Sequence, residues 1–236
     1  MKADRYFFSA TAFLFLFLML WGFHSFVHGR GFQERPIDPS IIRLDAAHGI
    51  AIALWFVLFL AQSLLIATRN RKVHMTLGWS VVVLGPAIAI LGTMVAYRSV
   101  KLTPEFIFFN MWYSHFLLSM FVEMLMFSVF VTAGVFTRKQ PRIHRTMMLM
   151  TSLALIPGAL ARNTLVASVF GDNRWMGLFA PALILAGVLL AIRSAMTRTF
   201  DRWFASSWAL LSIAYIGSTY LCETATWDHI ATAMLR

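Results

Sequence analysis

The sequence has little charge and almost no cysteine for its length. Charged residues make up 13% of the 236 positions, whereas hydrophobic residues make up 59%. A water-soluble domain of this length could not hide so much apolar surface, so that class of protein is excluded. The single cysteine, Cys222, excludes an internal disulfide and any zinc or iron–sulfur site built from cysteines.

Long apolar runs make up most of the sequence. The mean hydropathy is +0.72, and a helix that crosses a membrane needs about 20 mostly apolar residues. The sequence therefore predicts an all-α, polytopic membrane helix bundle with about seven transmembrane helices, forming a single domain over residues 1–236. The predicted segments are roughly 6–28, 46–68, 74–97, 107–136, 144–168, 175–195 and 204–229.

The basic residues lie in short clusters between the apolar runs. If the helices alternate in direction, twelve of the twenty Lys and Arg residues fall on one side. The positive-inside rule then predicts a cytoplasmic amino terminus and an external carboxyl terminus. We therefore interpret the net charge of +10 as a topology feature and expect a lipid bilayer, with no nucleic acid, as the partner. The expected location is the bacterial inner (cytoplasmic) membrane.

Seven histidines are the main clue to function. Ionisable side chains near a bilayer are costly, and they usually face the bundle interior or a cavity. Two of the histidines, His74 and His144, are predicted towards the inner side. The other five are predicted towards the outer side: His24, His28, His48, His115 and His229.

Four of these histidines follow a repeated order. In each copy a histidine opens a helix, a basic run follows, and a second histidine opens the next helix, with spacings of 26 and 29 residues. The copies are His48 with His74 and His115 with His144. Helices two to five therefore resemble two copies of one hairpin, and they define a candidate cofactor region at about 46–168.

Haem b needs two neutral imidazoles that face each other across a gap between helices. The order above supplies two candidate axial pairs, His48 with His115 and His74 with His144. We expect the first pair to hold the better-ordered haem. A long apolar run follows His115 and should place it inside the hydrocarbon, whereas the residues of the second pair adjoin charged loops. The alternative interpretation is that these histidines only cap helices or lie at the headgroup level.

In the order of its four histidines along helices two to five, the chain resembles the transmembrane di-haem cytochromes b561. The family holds one haem between its second and fourth helices and the other between its third and fifth. The stretch Tyr113-Ser114-His115 is similar to a Tyr-Ser-x-His motif of that family, shortened by one residue. The resemblance covers residues 45–165 and implies one or two haems b and transmembrane electron transfer. Residues 71–79 also resemble a run in uncharacterised bacterial membrane proteins.

Other polar residues accompany these histidines. His48, Trp55 and Gln62 recur every seven residues along helix two, and Gln62 in mid-membrane needs a hydrogen-bond partner. Glu123 is the only acid predicted deep in the bilayer, as either a proton carrier or half of a structural pair. Arg162 either meets a haem propionate or extends to the interface.

Helix seven carries a polar stripe that runs from Trp208 to His229. Packing against another helix explains such a stripe, and a polar path to an outer site containing Glu223 and His229 is the alternative.

Three functions remain open on this evidence. The leading hypothesis is a membrane-embedded b-type cytochrome that carries electrons across or along the membrane, to or from a quinone or a redox partner protein. The second is a non-catalytic membrane subunit or scaffold with interfacial histidines. The third is an outer-face zinc or copper enzyme, because His24 and His28 lie four residues apart on one helical face; His48, His115 and His229 would complete its ligands.

Overall fold

A computed structural model describes residues 2–27, 37–171 and 173–236 of the chain. Helices account for most of them. The predicted fold class, an all-α polytopic membrane helix bundle, is confirmed. The elements in chain order are α1 (Lys2–Val27), α2 (Ile42–Ala67), α3 (Arg71–Gly78), α4 (Val81–Leu102), β1 (Ile107–Phe108), β2 (Met111–Trp112), α5 (Tyr113–Phe136), α6 (Pro141–Leu155), α7 (Pro157–Ala161), α8 (Thr164–Phe170), α9 (Arg174–Leu178), α10 (Ala180–Thr197), α11 (Arg202–Leu221) and α12 (Ala225–Leu235).

Six helical segments of the described residues are long and apolar enough to cross a membrane. Their outward faces carry large apolar side chains, and Val83 and Phe136 are 75% and 79% exposed. Lipid tails cover such faces, whereas water would leave an apolar patch far larger than a soluble monomer tolerates. The segments are Tyr6–His24, Ile42–Ala67, Val81–Leu102, Tyr113–Phe136, Pro141–Ala161 and Ala180–Thr197.

Helix α11 is the seventh long helix of the bundle. Its 20 residues reach about 30 Å, the thickness of the hydrocarbon core. Ile213 on its outward face is 72% exposed, whereas Ser207 and Ser218 are buried. The Ser218 hydroxyl shares a hydrogen bond of 3.0 Å with that of Ser119 on α5. The hydroxyl groups that lower the hydropathy of α11 therefore serve helix packing, the interpretation favoured for its polar stripe.

Two predicted transmembrane segments do not begin with a long helix: one begins with a short helix and the other with a β-hairpin. The segment 74–97 divides into the short helix α3 and the span α4. The segment 107–136 opens with a β-hairpin in which Phe108 pairs with Met111. Its two-residue turn, Phe109 and Asn110, has φ values of 50° and 56°, as a type I′ turn requires. Asn110 is the one polar residue of this hairpin, so the hydropathy pattern did not separate it from α5.

Two further predicted segments are interrupted near their carboxyl ends. Pro157 lacks an N–H group, so the segment 144–168 breaks into α6 and α7. Asn163 then caps α8 by accepting a hydrogen bond of 3.0 Å from the N–H of Leu165. The segment 204–229 is not one helix, because α11 ends at Leu221 and Thr224 caps α12. His229 therefore lies outside the long helix on which the polar stripe was predicted.

The alternating helices create two ends, here called the basic end and the hairpin end. The basic end contains α3, the start of α6 and the loop between α10 and α11; the hairpin end contains β1, β2, α8, α9 and α12. At the basic end Arg193 is only 4% exposed, and its guanidinium lies 2.5 Å from the Asp201 carboxylate. The same group donates to the Thr146 hydroxyl at 3.2 Å and lies 4.9 Å from the centroid of the Phe8 ring. This contact joins α1, α6, α10 and the start of α11. The prediction that the basic end is cytoplasmic remains a prediction.

Candidate functional site

His74 and His144 meet at the basic end. His74 lies on α3, which folds back from α2 after Arg69 takes a φ of 65° and the Asn70 side chain accepts a hydrogen bond from the N–H of Val73. His144 lies in the first turn of α6, which begins at Pro141. The turns that start these two helices therefore bring together one of the two predicted histidine pairs.

The two imidazole rings are close and nearly perpendicular. Their centroids lie 6.4 Å apart with an angle of 81° between the ring planes. An imidazole nitrogen binds a first-row metal ion at about 2 Å, and its ring centroid lies about 1 Å further back, so two imidazoles on opposite sides of one ion have centroids about 6 Å apart. The spacing of His74 and His144 therefore fits two ligands of a single metal ion.

Each ring has a hydrogen-bond partner at Nδ1. Nδ1 of His144 donates to the carbonyl oxygen of Gly134 at 2.8 Å, and Nδ1 of His74 contacts the side-chain amide of Gln62. Metal-binding histidines usually hold their second ring nitrogen in such a bond, which orients the ring. The amide nitrogen of Gln62 is the donor in this contact, so Nδ1 of His74 accepts. Nε2 of His144 is therefore available to a metal, whereas Nε2 of His74 becomes available only when the ring proton moves from Nε2 to Nδ1.

Gln62 ties α2 to α3. Its amide nitrogen also donates to the backbone carbonyl of His74 at 3.2 Å, and its oxygen accepts from the N–H of Gly78 at 2.9 Å. The sequence predicted that Gln62 needs a partner, and these groups supply it. The predicted position in mid-membrane was wrong, because Gln62 lies little more than one turn before the end of α2 at Ala67.

The surroundings of His74 favour a neutral ring. Burial lowers the pKa of His74 below its usual value, and the nearby His144 and Arg71 lower it further, whereas the contact with Gln62 acts in the opposite direction. The neutral imidazole is the form that coordinates iron. Basic loops flank the pair, and in one of them the Arg138 guanidinium lies 5.6 Å from the Trp79 ring centroid. Cations of this kind can accept the carboxylates of a haem.

His115 at the hairpin end has a different partner. Its Nε2 lies 3.5 Å from a carboxylate oxygen of Asp228 on α12, and the Asp228 side chain is 64% exposed. Because the hairpin occupies residues 107–112, α5 begins only at Tyr113 and His115 lies in its first turn. The expectation that His115 is deeply placed was therefore wrong.

His48 lies farther into the bundle than His115. A Cβ atom on Gly92 of α4 would come within 2.8 Å of Cε1 of His48 and would also collide with the sulfur of Met124 on α5. Met124 follows His115 by nine residues, or about 13 Å along a helix. Among the described residues no ring contact like that of His74 with His144 joins His48 to His115, and His115 pairs with Asp228 instead.

Charged groups gather around Arg162 in the half of the bundle nearer the hairpin end. Asp45 and His48 of α2 and Glu123 of α5 each interact electrostatically with Arg162. The Arg162 guanidinium donates to the carbonyl oxygen of Gly158 at 2.7 Å and lies 4.6 Å from the centroid of the Phe23 ring. Arg162 therefore points into the bundle, which does not favour the alternative that it extends to the interface.

The remaining histidines do not converge. Nδ1 of His24 donates to the carbonyl oxygen of Trp21 at 2.6 Å, and His229 is exposed on α12. Glu223, the other member of the suggested outer site, pairs with Arg174 at 2.6 Å. His28 lies outside the described residues. Within the described ranges no three His, Cys, Asp or Glu side chains gather as a metal site would require, so the zinc or copper alternative gains no support there.

Three residues of these sites were missed in the sequence. Gly134 contributes only a backbone carbonyl, for which the sequence has no signature. Asp228 becomes a neighbour of His115 because α12 turns back after Thr224. Asp45 could have been found, because it precedes His48 by three residues and the two therefore share one face of α2.

Comparisons of the chain with protein-family models, with curated proteins and with solved structures give no match. The likeness to cytochromes b561 therefore rests on the order of the histidines and on the stretch Tyr113-Ser114-His115.

Proposed function

We propose that this protein is a membrane-embedded b-type cytochrome in which His74 and His144 hold a single haem b at the basic end. The observation that carries the proposal is the distance of 6.4 Å between the two ring centroids. When bound, haem iron accepts and donates one electron at a time, which gives an electron carrier in the membrane. The partner would be a quinone or a redox protein, and the bacterial inner membrane would be its location.

The residues around the pair have separate roles in this proposal. Gly134 and Gln62 orient the two rings through their Nδ1 atoms. Burial keeps His74 neutral at physiological pH. Arg71 and Arg138 lie on the flanking elements, where they would attract the haem propionates and oppose loss of the group to water.

Absorption spectroscopy tests the proposal. Protein purified in mild detergent from haem-supplied cells should show a Soret band that shifts and sharpens when dithionite is added, with about one haem per chain. The variants His74→Ala and His144→Ala should lose the band, whereas His115→Ala and the exposed control His229→Ala should keep it. A colourless wild-type protein, or loss of the band in His115→Ala alone, would overturn the proposal.

A non-catalytic scaffold is the second candidate. The hydrogen bonds from His144 to Gly134 and between Gln62 and α3 join neighbouring helices without any metal. This function predicts a colourless protein in which His144→Ala lowers the thermal midpoint. It also predicts that adding haemin to the purified protein produces no Soret shift that depends on His74.

A further inference from the structure

We propose that a cavity at the hairpin end binds the zwitterionic headgroup of a membrane phospholipid, with the phosphate beside Arg174 and the ammonium group beside Glu223. The site goes beyond the proposed haem function, because it lies at the other end of the bundle from His74 and His144. Its volume is about 420 Å³, which is within the range of ligand sites. We call it the Arg174 cavity, and the residues that line it are Asn110, Asn173, Arg174, Trp175, Met176 and Tyr220.

The Arg174 cavity lies at the level where long helices end. Tyr220 is the last residue but one of α11, and Asn110 precedes the start of α5 by three residues. Arg174 precedes the span Ala180–Thr197 by six residues. Three long helices therefore end within about two turns of the cavity, which places it beside the lipid headgroups. Trp and Tyr side chains are enriched at this level, and Trp175 and Tyr220 both line the cavity.

Contacts between α9 and the hairpin hold the wall of the cavity in place. The N–H of Arg174 donates to the carbonyl oxygen of Phe109 in the hairpin turn at 3.0 Å. A Cβ atom on Gly177 of α9 would come within 2.7 Å of the Phe109 ring and would also collide with the carbonyl oxygen of Gly171. This close approach fixes α9 against the turn. A site that is already formed loses less conformational freedom when a ligand binds.

Arg174 and Glu223 present charges of both signs to a ligand. Nη2 of Arg174 lies 2.6 Å from Oε1 of Glu223, and the two side chains are 36% and 35% exposed. A group that contacts the guanidinium from the cavity therefore lies near the carboxylate as well. Guanidinium groups bind phosphate oxygens well, but an anionic headgroup would bring a second negative charge towards Glu223, which is unfavourable. A zwitterion satisfies both members of the ion pair.

The neutral lining residues suit the same headgroup. The side-chain amides of Asn110 and Asn173 can donate to further phosphate oxygens. The ring faces of Trp175 and Tyr220 attract a cation such as the ammonium group. Met176, which is 43% exposed, adds an apolar surface along which the glycerol end of a lipid can lie. An apolar wall at headgroup level favours a lipid over a soluble phosphate ester of the same charge.

Native mass spectrometry of the whole protein, delipidated in mild detergent, tests the site. We expect one tightly bound phosphatidylethanolamine per chain, held about tenfold or more tightly than phosphatidylglycerol with the same acyl chains. Arg174→Met should weaken binding of phosphatidylethanolamine by about tenfold or more, because a charged hydrogen bond to the phosphate is lost. The control Lys139→Met, which removes an exposed cation just before α6, should leave this binding unchanged.

Glu223→Gln separates recognition of charge from a general loss of folding. The change removes the negative charge, so binding of phosphatidylethanolamine should fall while binding of phosphatidylglycerol should rise. A misfolded variant would lose both lipids, and the comparison of the two lipids on the wild type then decides.

Equal binding of the two lipids by the wild type would overturn the proposal, and so would unchanged binding of phosphatidylethanolamine by Arg174→Met. Free phosphoethanolamine should raise the thermal midpoint far less than the lipid does. An equal rise would overturn the assignment to a lipid in favour of a soluble phosphate ester. None of these outcomes bears on the haem proposal, since the Soret band is read separately.

Discussion

The repeated order of histidines leads to different contacts at the two ends of the bundle. At the basic end the second histidines of the two copies, His74 and His144, meet at 6.4 Å. At the hairpin end the first histidines separate, because His115 pairs with Asp228 and His48 packs against Gly92. Short turns connect the helices at the basic end, whereas the hairpin end receives additional elements between and after the spans. A repeated order therefore predicts contact only where the connections are short enough to keep the copies aligned.

The ion pairs follow the same division. Arg193 and Asp201 at the basic end are 4% and 15% exposed, whereas Arg174 and Glu223 at the hairpin end are 36% and 35% exposed. Burial raises the cost of removing one partner, because the other charge is left in a low dielectric. The following predictions test this contrast in order of decreasing effect.

The largest effect is expected from Arg193→Met. Removing the guanidinium leaves the half-buried carboxylate of Asp201 without its cation, which should destabilise the protein by about 3 kcal/mol. The matched change Arg174→Met at the hairpin end should cost less than about 1 kcal/mol. Thermal unfolding in mild detergent, followed by circular dichroism, measures both. Equal losses would show that the two ends do not differ in this way.

A smaller effect is expected from Gln62→Leu. The change leaves the N–H of Gly78 and Nδ1 of His74 without their partner, which should cost about 1–3 kcal/mol. The control Gln140→Leu, at an exposed position before α6, should change stability by less than about 0.5 kcal/mol. If the control loses as much as Gln62→Leu, the contact between α2 and α3 contributes nothing specific.

Gly92→Ala tests the packing of His48. The new methyl group would press on His48 and Met124, and overpacking of this kind costs about 1–3 kcal/mol. Gly49→Ala on α2 is the matched control, because a Cβ atom there meets nothing within 4 Å. It should be neutral or stabilising by up to about 1 kcal/mol. Denaturant titration measures the free energy of unfolding of both variants. If Gly92→Ala does not lower it, His48 does not pack against Gly92.

The smallest effect is expected from Asp228→Asn. The carboxylate that it changes is 64% exposed beside His115, so solvent screens the pair and the loss should stay below about 1 kcal/mol. The thermal midpoint should hardly move, and added salt should abolish the remaining difference from wild type. A loss as large as that of Arg193→Met would mean that the hairpin end is as closely packed as the basic end.

The sequence by itself determined the fold class, the number of long helices and the alternation of their basic loops. These follow from length and hydropathy, because a bilayer accepts only helices or closed barrels whose backbone groups are satisfied internally. It also indicated the meeting of His74 and His144, since the repeated order of histidines pairs the second histidine of one copy with that of the other. The need of Gln62 for a partner followed from the cost of an unpaired amide near lipid.

Only the tertiary structure decided which histidines remain apart. The hairpin 107–112 is mostly apolar, with Asn110 as its one polar residue, so hydropathy did not show that His115 lies in the first turn of α5. The partner of His115 comes from α12, more than one hundred residues later. The sequence left Arg162 either at a haem propionate or at the interface, whereas residues of α1, α2 and α5 interact with it inside the bundle. Contacts between residues distant in sequence depend on how whole helices pack, and no local pattern contains that information.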